Sequence, residues 1–317
     1  MKKLILFACL VVGGVVIATV LLRQPATKTT ANEDQITKTS QHTGSSMGVA
    51  TSFYPLYFFS SVIGGDKVSV TNITPAGAEP HDYEPTAQDI VMIQNSKILI
   101  LNGNVEPWAE KVKNNLAGKN VSIIVAGDEL FTQTISEGGA VSPDPHIWLN
   151  PQLAKQEVLR ILLAFQAADP SNSAYYATNA NILSQKLDQL DAEFKTALSS
   201  CQQKDIVTSH DAFGYLASAY GLNQVAISGL SPDEEPSPRE LVEVAKFARS
   251  KNIQYIFFES LVSPKLSETI AAEIGAKTLV LDPLEGISDA DIKQGKDYFS
   301  VMRKNLSNLK IALQCTP

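Results

Sequence analysis

Positive charge is scarce in this 317-residue chain: 26 lysines and arginines face 33 acids, a formal net charge of −7 at pH 7. Binding a phosphate backbone needs clustered cations to displace counterions, so nucleic acid is excluded as a partner. Cysteine is scarcer, at three residues. Cys9 sits inside an apolar N-terminal run, which leaves Cys201 and Cys315 as an even pair. Outside the cytoplasm such a pair reads as a disulfide, closing a loop long enough to contribute roughly 4–5 kcal/mol on the chain-entropy model; the alternative is two buried thiols. Histidine numbers only four, at no short metal-motif spacing, and none forms the His-Glu pairing on one helix that zinc hydrolases use. No internal repeat is visible.

What is present is ordinary globular material, 44% hydrophobic and 7% aromatic, enough for one large or two modest domains. Lys2 and Lys3 precede an apolar run over residues 4–22 that Arg23 closes. Its length is nearer a spanning helix than a secretory core, which predicts an uncleaved anchor over 1–23 with the rest of the chain outside the cytoplasm. Cleavage after Ala18, giving a secreted or periplasmic protein, is the alternative. Cys9 lies too early in the run for lipoprotein processing. Residues 24–48 are polar and poor in apolar side chains, a disordered tether with His42 exposed.

Beyond the tether, short β-branched runs alternate with amphipathic stretches: "VSVTNI", "KILILN" and "VSIIVA", then "DIVTS", "NQVAI", "IQYIFF" and "TLVLD". That alternation predicts an α/β fold of two lobes, 49–168 and 201–317, each with a mainly parallel sheet flanked by helices. Between them lies a connecting long helix, 169–200, in which Leu183, Leu187, Leu190, Phe194 and Leu198 form one stripe and which has no Gly or Pro after Pro170. Such a rod limits hinge motion.

Three histidines fall at loops that lead into helices. Pro80 and Pro85 stiffen the loop around His81, and Thr86 with Asp89 resembles a capping box. His146 precedes Asn150 and Pro151, a plausible N-cap and first helical residue. His210 ends "DIVTS" and opens a helix that Gly221 stops. A fourth turn carries Asp282 and Glu285. Helix dipoles predict lowered basicity for these imidazoles, and the neutral form is the one that binds metal. Three imidazoles and one carboxylate from separate turns make a tetrahedral set suited to Zn²⁺. Each histidine alone also reads as an ordinary turn residue, and Glu79, Asp82 and Glu84 as a solvated acidic loop.

The ordered motifs "GAEPHDYEPTAQDI", "ILNGNVEPWAEK", "DPHIWLNP", "IVTSHDAFGYLASAYGL", "GLSPDEEPSPREL", "LVLDPLEG" and "DYFSVMRKNLSNLKIALQC" resemble the substrate-binding proteins of metal-importing ABC transporters, the zinc and manganese type of cluster A-I. The resemblance covers residues 49–317. It implies a monomer of two lobes joined by one rigid helix, with a metal in the cleft delivered to a membrane permease, and no enzymatic activity. His81 and His146 would be ligands from the first lobe and His210 from the second, with Asp282 or Glu285 fourth. Histidine at the third position resembles the zinc branch; manganese relatives tend to have glutamate there, so Mn²⁺ is the alternative ion. The chain departs from many zinc relatives in having no histidine around "FTQTISEGGAVSPD" and no lipoprotein cysteine after the apolar run. Rival readings are a surface adhesin of the same fold and, with less support, a zinc hydrolase. "SPDEEPSPREL" reads as an exposed loop or a permease contact.

Overall fold

The computed structural model describes residues 46–137, 140–232 and 235–316. The apolar run over 4–22, His42 and nearly all of the expected tether lie outside the described residues. No described helix is long and apolar enough to cross a membrane.

The first lobe is a parallel sheet in the order β2-β1-β3-β4: β1 Met47–Thr51, β2 Val68–Asn72, β3 Ile98–Leu101 and β4 Ser122–Val125. Helices α1 (Tyr54–Gly64), α2 (Ala87–Asn95) and α3 (Ala109–Leu116) connect them. An antiparallel hairpin, β5 Thr134–Glu137 and β6 Ala140–Pro143, then leads to α4, Pro151–Ala168. After α5 (Ser173–Leu198), the second lobe repeats the plan with β7 Asp205–Thr208, α6 Gly214–Tyr220, β8 Asn223–Ala226, α7 Pro238–Ser250, β9 Tyr255–Phe258, α8 Lys265–Ile274 and β10 Lys277–Val280. Its sheet order is β10-β9-β7-β8, again parallel. Helices α9 (Asp289–Lys293) and α10 (Tyr298–Ala312) close the chain.

Alternation along the strands decides what each sheet face buries. Val49, Ile98 and Ile100 point into the central core and Ala50, Leu99 and Leu101 into a smaller cluster with Trp108 and Val112 of the helical layer. In the second lobe Ile206 and Phe257 join the central core, while Val207 and Ile256 pack with Val244 and Ile270 of α7 and α8. The central core is thus shared by both lobes. Helix α5 runs through it with Leu183, Leu187, Leu190, Phe194 and Leu198 buried, packing on α1 and α4 on one side and α6 and α10 on the other. Its 26 residues span about 39 Å at 1.5 Å each. Cys201 and Cys315 form a disulfide that ties the end of the chain to the start of the second lobe.

Several local expectations meet their geometry. Thr86 and Asp89 form a reciprocal capping box, Asn150 caps α4 with Pro151 as its first residue, and Gly221 ends α6 at φ +66°. Others need correction. Strand β1 begins at Met47, two residues inside the stretch read as tether. Helix α6 begins at Gly214, so His210 stays on a loop and does not open the helix. His146 follows an antiparallel hairpin, not a parallel strand, and the hairpin had no expected counterpart.

Candidate metal centre

His81, His146, His210 and Glu285 come together although the chain places them on four separate loops, between β2 and α2, between β6 and α4, between β7 and α6, and between β10 and α9. All four are buried, at 9%, 0%, 0% and 1% relative exposure. Glu285 Oε1 lies 3.3 Å from His81 Nε2, 3.1 Å from His146 Nε2 and 3.3 Å from His210 Nε2; the His81 and His146 Nε2 atoms are 3.3 Å apart. One donor atom from each residue falls within 4.8 Å of all the others.

Asp282 is not in this group. Its Oδ1 accepts from Leu284 N at 2.7 Å, its Oδ2 accepts from Ser260 Oγ, and its backbone N and O pair with the Asn305 side chain. These bonds hold Leu284 at φ +60°, a left-handed conformation unusual for leucine, and so fix the turn that aims Glu285 inward. Of the two carboxylates expected as alternatives, the fold brings Glu285 to the histidines and makes Asp282 its brace.

Two further carboxylates orient the imidazoles. Asp144 Oδ1 accepts from His146 N at 3.0 Å and lies 2.7 Å from His146 Nδ1. Glu259 Oε1 lies 2.6 Å from His210 Nδ1 and also accepts from Ser209 Oγ. A carboxylate oxygen accepts here, so each Nδ1 carries a proton whatever the ring's charge, and each Nε2 faces the centre, free to bind metal once its own proton leaves. Neither acid was singled out from the sequence. Asp144 sits two residues before His146 in "DPH", a local signal; Glu259 lies 49 residues from His210 and has none.

Electrostatics corrects the expectation of uniformly lowered basicity. The His81 pKa is lowered, chiefly by burial, against the pull of Glu285. Burial also opposes protonation of His146, but Asp144 and Glu285 outweigh it and the pKa is raised. For His210 burial is overcome by the charges of Glu259 and Glu285, and the pKa stands well above the ordinary value. Glu285, which burial alone would push up, is held well below the carboxylate range by His210, His146 and His81. Burial and the Glu285 charge push Glu79, whose Oε1 accepts from His81 N, up to about 9. The cluster therefore holds protons on imidazoles around one anion.

A tetrahedral ion with bonds of about 2.0–2.1 Å sets its ligand atoms about 3.3–3.4 Å apart. Four of the six donor separations, 3.1 to 3.3 Å, match that edge length, and all six lie within 4.8 Å. His210 Nε2 and Glu285 Oε2 are buried without a hydrogen-bond partner, a state that a cation between the groups would relieve.

Residues 49–312 match the family model described as zinc-uptake complex component A, periplasmic. The chain is 38% identical over 282 residues to the high-affinity zinc uptake system protein ZnuA of Bacillus subtilis, covering 85% of this chain and 88% of that one. It is 40% identical over 276 residues to the zinc-binding lipoprotein AdcA of Streptococcus pneumoniae, covering 83% of this chain. It spans only 55% of that relative's length. Among solved structures, the Zn(II)-bound ZnuA-like domain of Streptococcus pneumoniae AdcA superposes with a TM-score of 0.75 at 41% identity, over 85% of this chain and 99% of that one. The laminin-binding protein Lmb of Streptococcus agalactiae, described as a bifunctional adhesin with metal-transporting activity, superposes at 0.77 and 33% identity over 85% and 100%.

Proposed function

The chain belongs to the periplasmic zinc-uptake component A family, and we propose that it captures one zinc ion between its lobes outside the cytoplasm and delivers it to the permease of an ABC importer. His81, His146, His210 and Glu285 are the ligands, with Asp144 and Glu259 holding two of the rings. The observation that carries this reading is the set of donor separations near 3.3 Å. Three neutral nitrogens with one carboxylate favour zinc over manganese, which prefers oxygen. Four protein ligands close the shell and leave no position for the water that a zinc hydrolase activates, so the protein binds and carries and is not an enzyme.

Zinc enters as a cargo that displaces protons from the raised imidazoles. Lobes 49–168 and 201–317, joined by the helix over 169–200, share one core, so wholesale separation would expose apolar surface at about 25 cal/mol per Å². Movement of the four ligand loops costs less and is the route of loading and release. Residues 4–22 tether the monomer to the cell membrane. Adhesion is a second reading, favoured by the likeness to Lmb.

The test strips the compact unit Ser45–Pro317 of metal, equilibrates it with equal zinc and manganese, and counts bound metal by elemental analysis. One zinc per chain supports the proposal; manganese in its place rejects the ion, and no metal rejects the site.

A further inference from the structure

Tyr215 belongs to α6 in the second lobe, yet every hydrogen bond of its hydroxyl goes to the first. The oxygen accepts from the backbone N–H of Thr132 at 2.9 Å and of Gln133 at 3.1 Å, and its own proton goes to the Asp144 carbonyl at 3.2 Å. A phenol offers one donor and two acceptor sites, and here all three are used. Tyr215 is 2% exposed, and its bond to the Asp144 carbonyl is buried, while those from Thr132 and Gln133 are part-buried.

The three backbone groups sit at the root of the β5–β6 hairpin, where Asp144 N donates to Gln133 O at 2.9 Å. The residue before the tyrosine is part of the same contact. A Cβ on Gly214 would fall 2.7 Å from Gln133 Oε1 and 2.9 Å from Asp144 Oδ2, so a larger residue here would have to displace these two side chains. Asp144 in turn grips His146 through both its backbone N and its Nδ1. On the other side, α6 follows directly from the loop that carries His210.

We infer that the Tyr215 hydroxyl is a cross-lobe latch, a positioning group that locks the Asp144–His146 loop of one lobe to the His210 loop of the other and thereby sets how slowly zinc leaves. The inference rests on the zinc-binding reading above. Tyr215 touches no ligand atom and acts only through Asp144. Trp148 also bonds across the lobes, to Pro283 O and from Tyr298, but on the core side of the site; the cross-lobe bond from Ser231 Oγ to Asp82 Oδ2 at 2.9 Å is exposed, and water replaces it at little cost.

The latch is tested by zinc dissociation into excess chelator, with Tyr215→Phe, Ser231→Ala and wild type compared as full chains. Removing the phenol oxygen leaves two part-buried N–H groups and the Asp144 carbonyl without their shared partner, so Tyr215→Phe is expected to bind one zinc and release it about tenfold faster, while Ser231→Ala changes the rate less than about twofold. In a double mutant with Asp144→Asn, the Tyr215→Phe effect should shrink, because both act on one loop; a purely structural defect would multiply unchanged and would lower the metal-free melting temperature instead. One bound zinc with an unchanged release rate overturns the latch and leaves zinc binding intact, whereas loss of zinc from wild type overturns the underlying reading. Should Tyr215→Phe not fold, hydrogen exchange on wild type decides: zinc should slow the Thr132 and Gln133 amides, and equal exchange with and without zinc rejects the inference.

Discussion

Replacing Glu259 with glutamine leaves the shape of the site and removes one buried negative charge 2.6 Å from His210 Nδ1. Two consequences follow, and they oppose each other near neutral pH. The His210 pKa, held well above its usual value against burial by Glu259 and Glu285, should drop. Zinc then displaces fewer protons, which eases competition. The ring also loses its charged anchor: a hydrogen bond to a charged group is worth about 1.5–3 kcal/mol against about 0.5–1.5 for a neutral one. The difference of about 1–1.5 kcal/mol predicts five- to tenfold weaker intrinsic affinity. Calorimetry in two buffers of unlike ionisation enthalpy counts the protons, and chelator competition at pH 7 and 9 gives the affinity. Wild type should release about one proton or more at pH 7, with affinity falling steeply as pH drops; Glu259→Gln should release fewer, show a shallower slope and bind more weakly at pH 9. Identical proton counts and slopes would refute the role of Glu259 in charging His210.

Glu285→Gln should weaken zinc by more than the roughly 10–100-fold typical of an outer partner, and Asp282→Asn by about tenfold or less, since Asp282 only braces the turn; equal losses in chelator competition would reverse the assignment. Pro80→Ala and Pro85→Ala should each cost about two- to fivefold in affinity by freeing the unbound His81 loop, and unchanged titrations would remove pre-organisation from the account. Glu157 on α4 is fully buried with both carboxylate oxygens unpartnered, and burial, then the Glu106 charge, raise its pKa well above 4.5. A raised acid destabilises the fold as pH climbs above the unfolded value, by about 1.4 kcal/mol per unit up to the folded pKa. Glu157→Gln should therefore gain in urea midpoint over wild type from pH 5 to pH 8, and parallel curves would contradict this.

The long helix was legible because its leucine stripe runs without Gly or Pro, and seven strands because their β-branched runs are bounded by turn residues. Strand β1 was missed where "MGVAT" adjoins a polar stretch, and the hairpin because Ile135 is the only buried apolar side chain described in β5. All three histidines were legible from their loops, but the choice between Asp282 and Glu285 was not. It turns on Ser260 and Asn305, whose contacts with Asp282 exist only after folding. The roles of Glu259 and Tyr215 are equally invisible in one dimension, since their partners lie 49 and 71 or more residues away. The expected low basicity holds in direction for His81 and fails for His146 and His210, where Asp144, Glu259 and Glu285 outweigh burial.

Phe53 of the first lobe and Leu281 of the second belong to the same apolar interior. Trp148 binds both sides of it, its ring N–H donating to Pro283 O and its carbonyl accepting from Tyr298. Neither lobe is therefore a module that recombination among relatives can exchange singly, because a transplanted half would arrive without the other face of its interior. A new ion preference must come from point changes at the four loop tips, with the interior inherited whole.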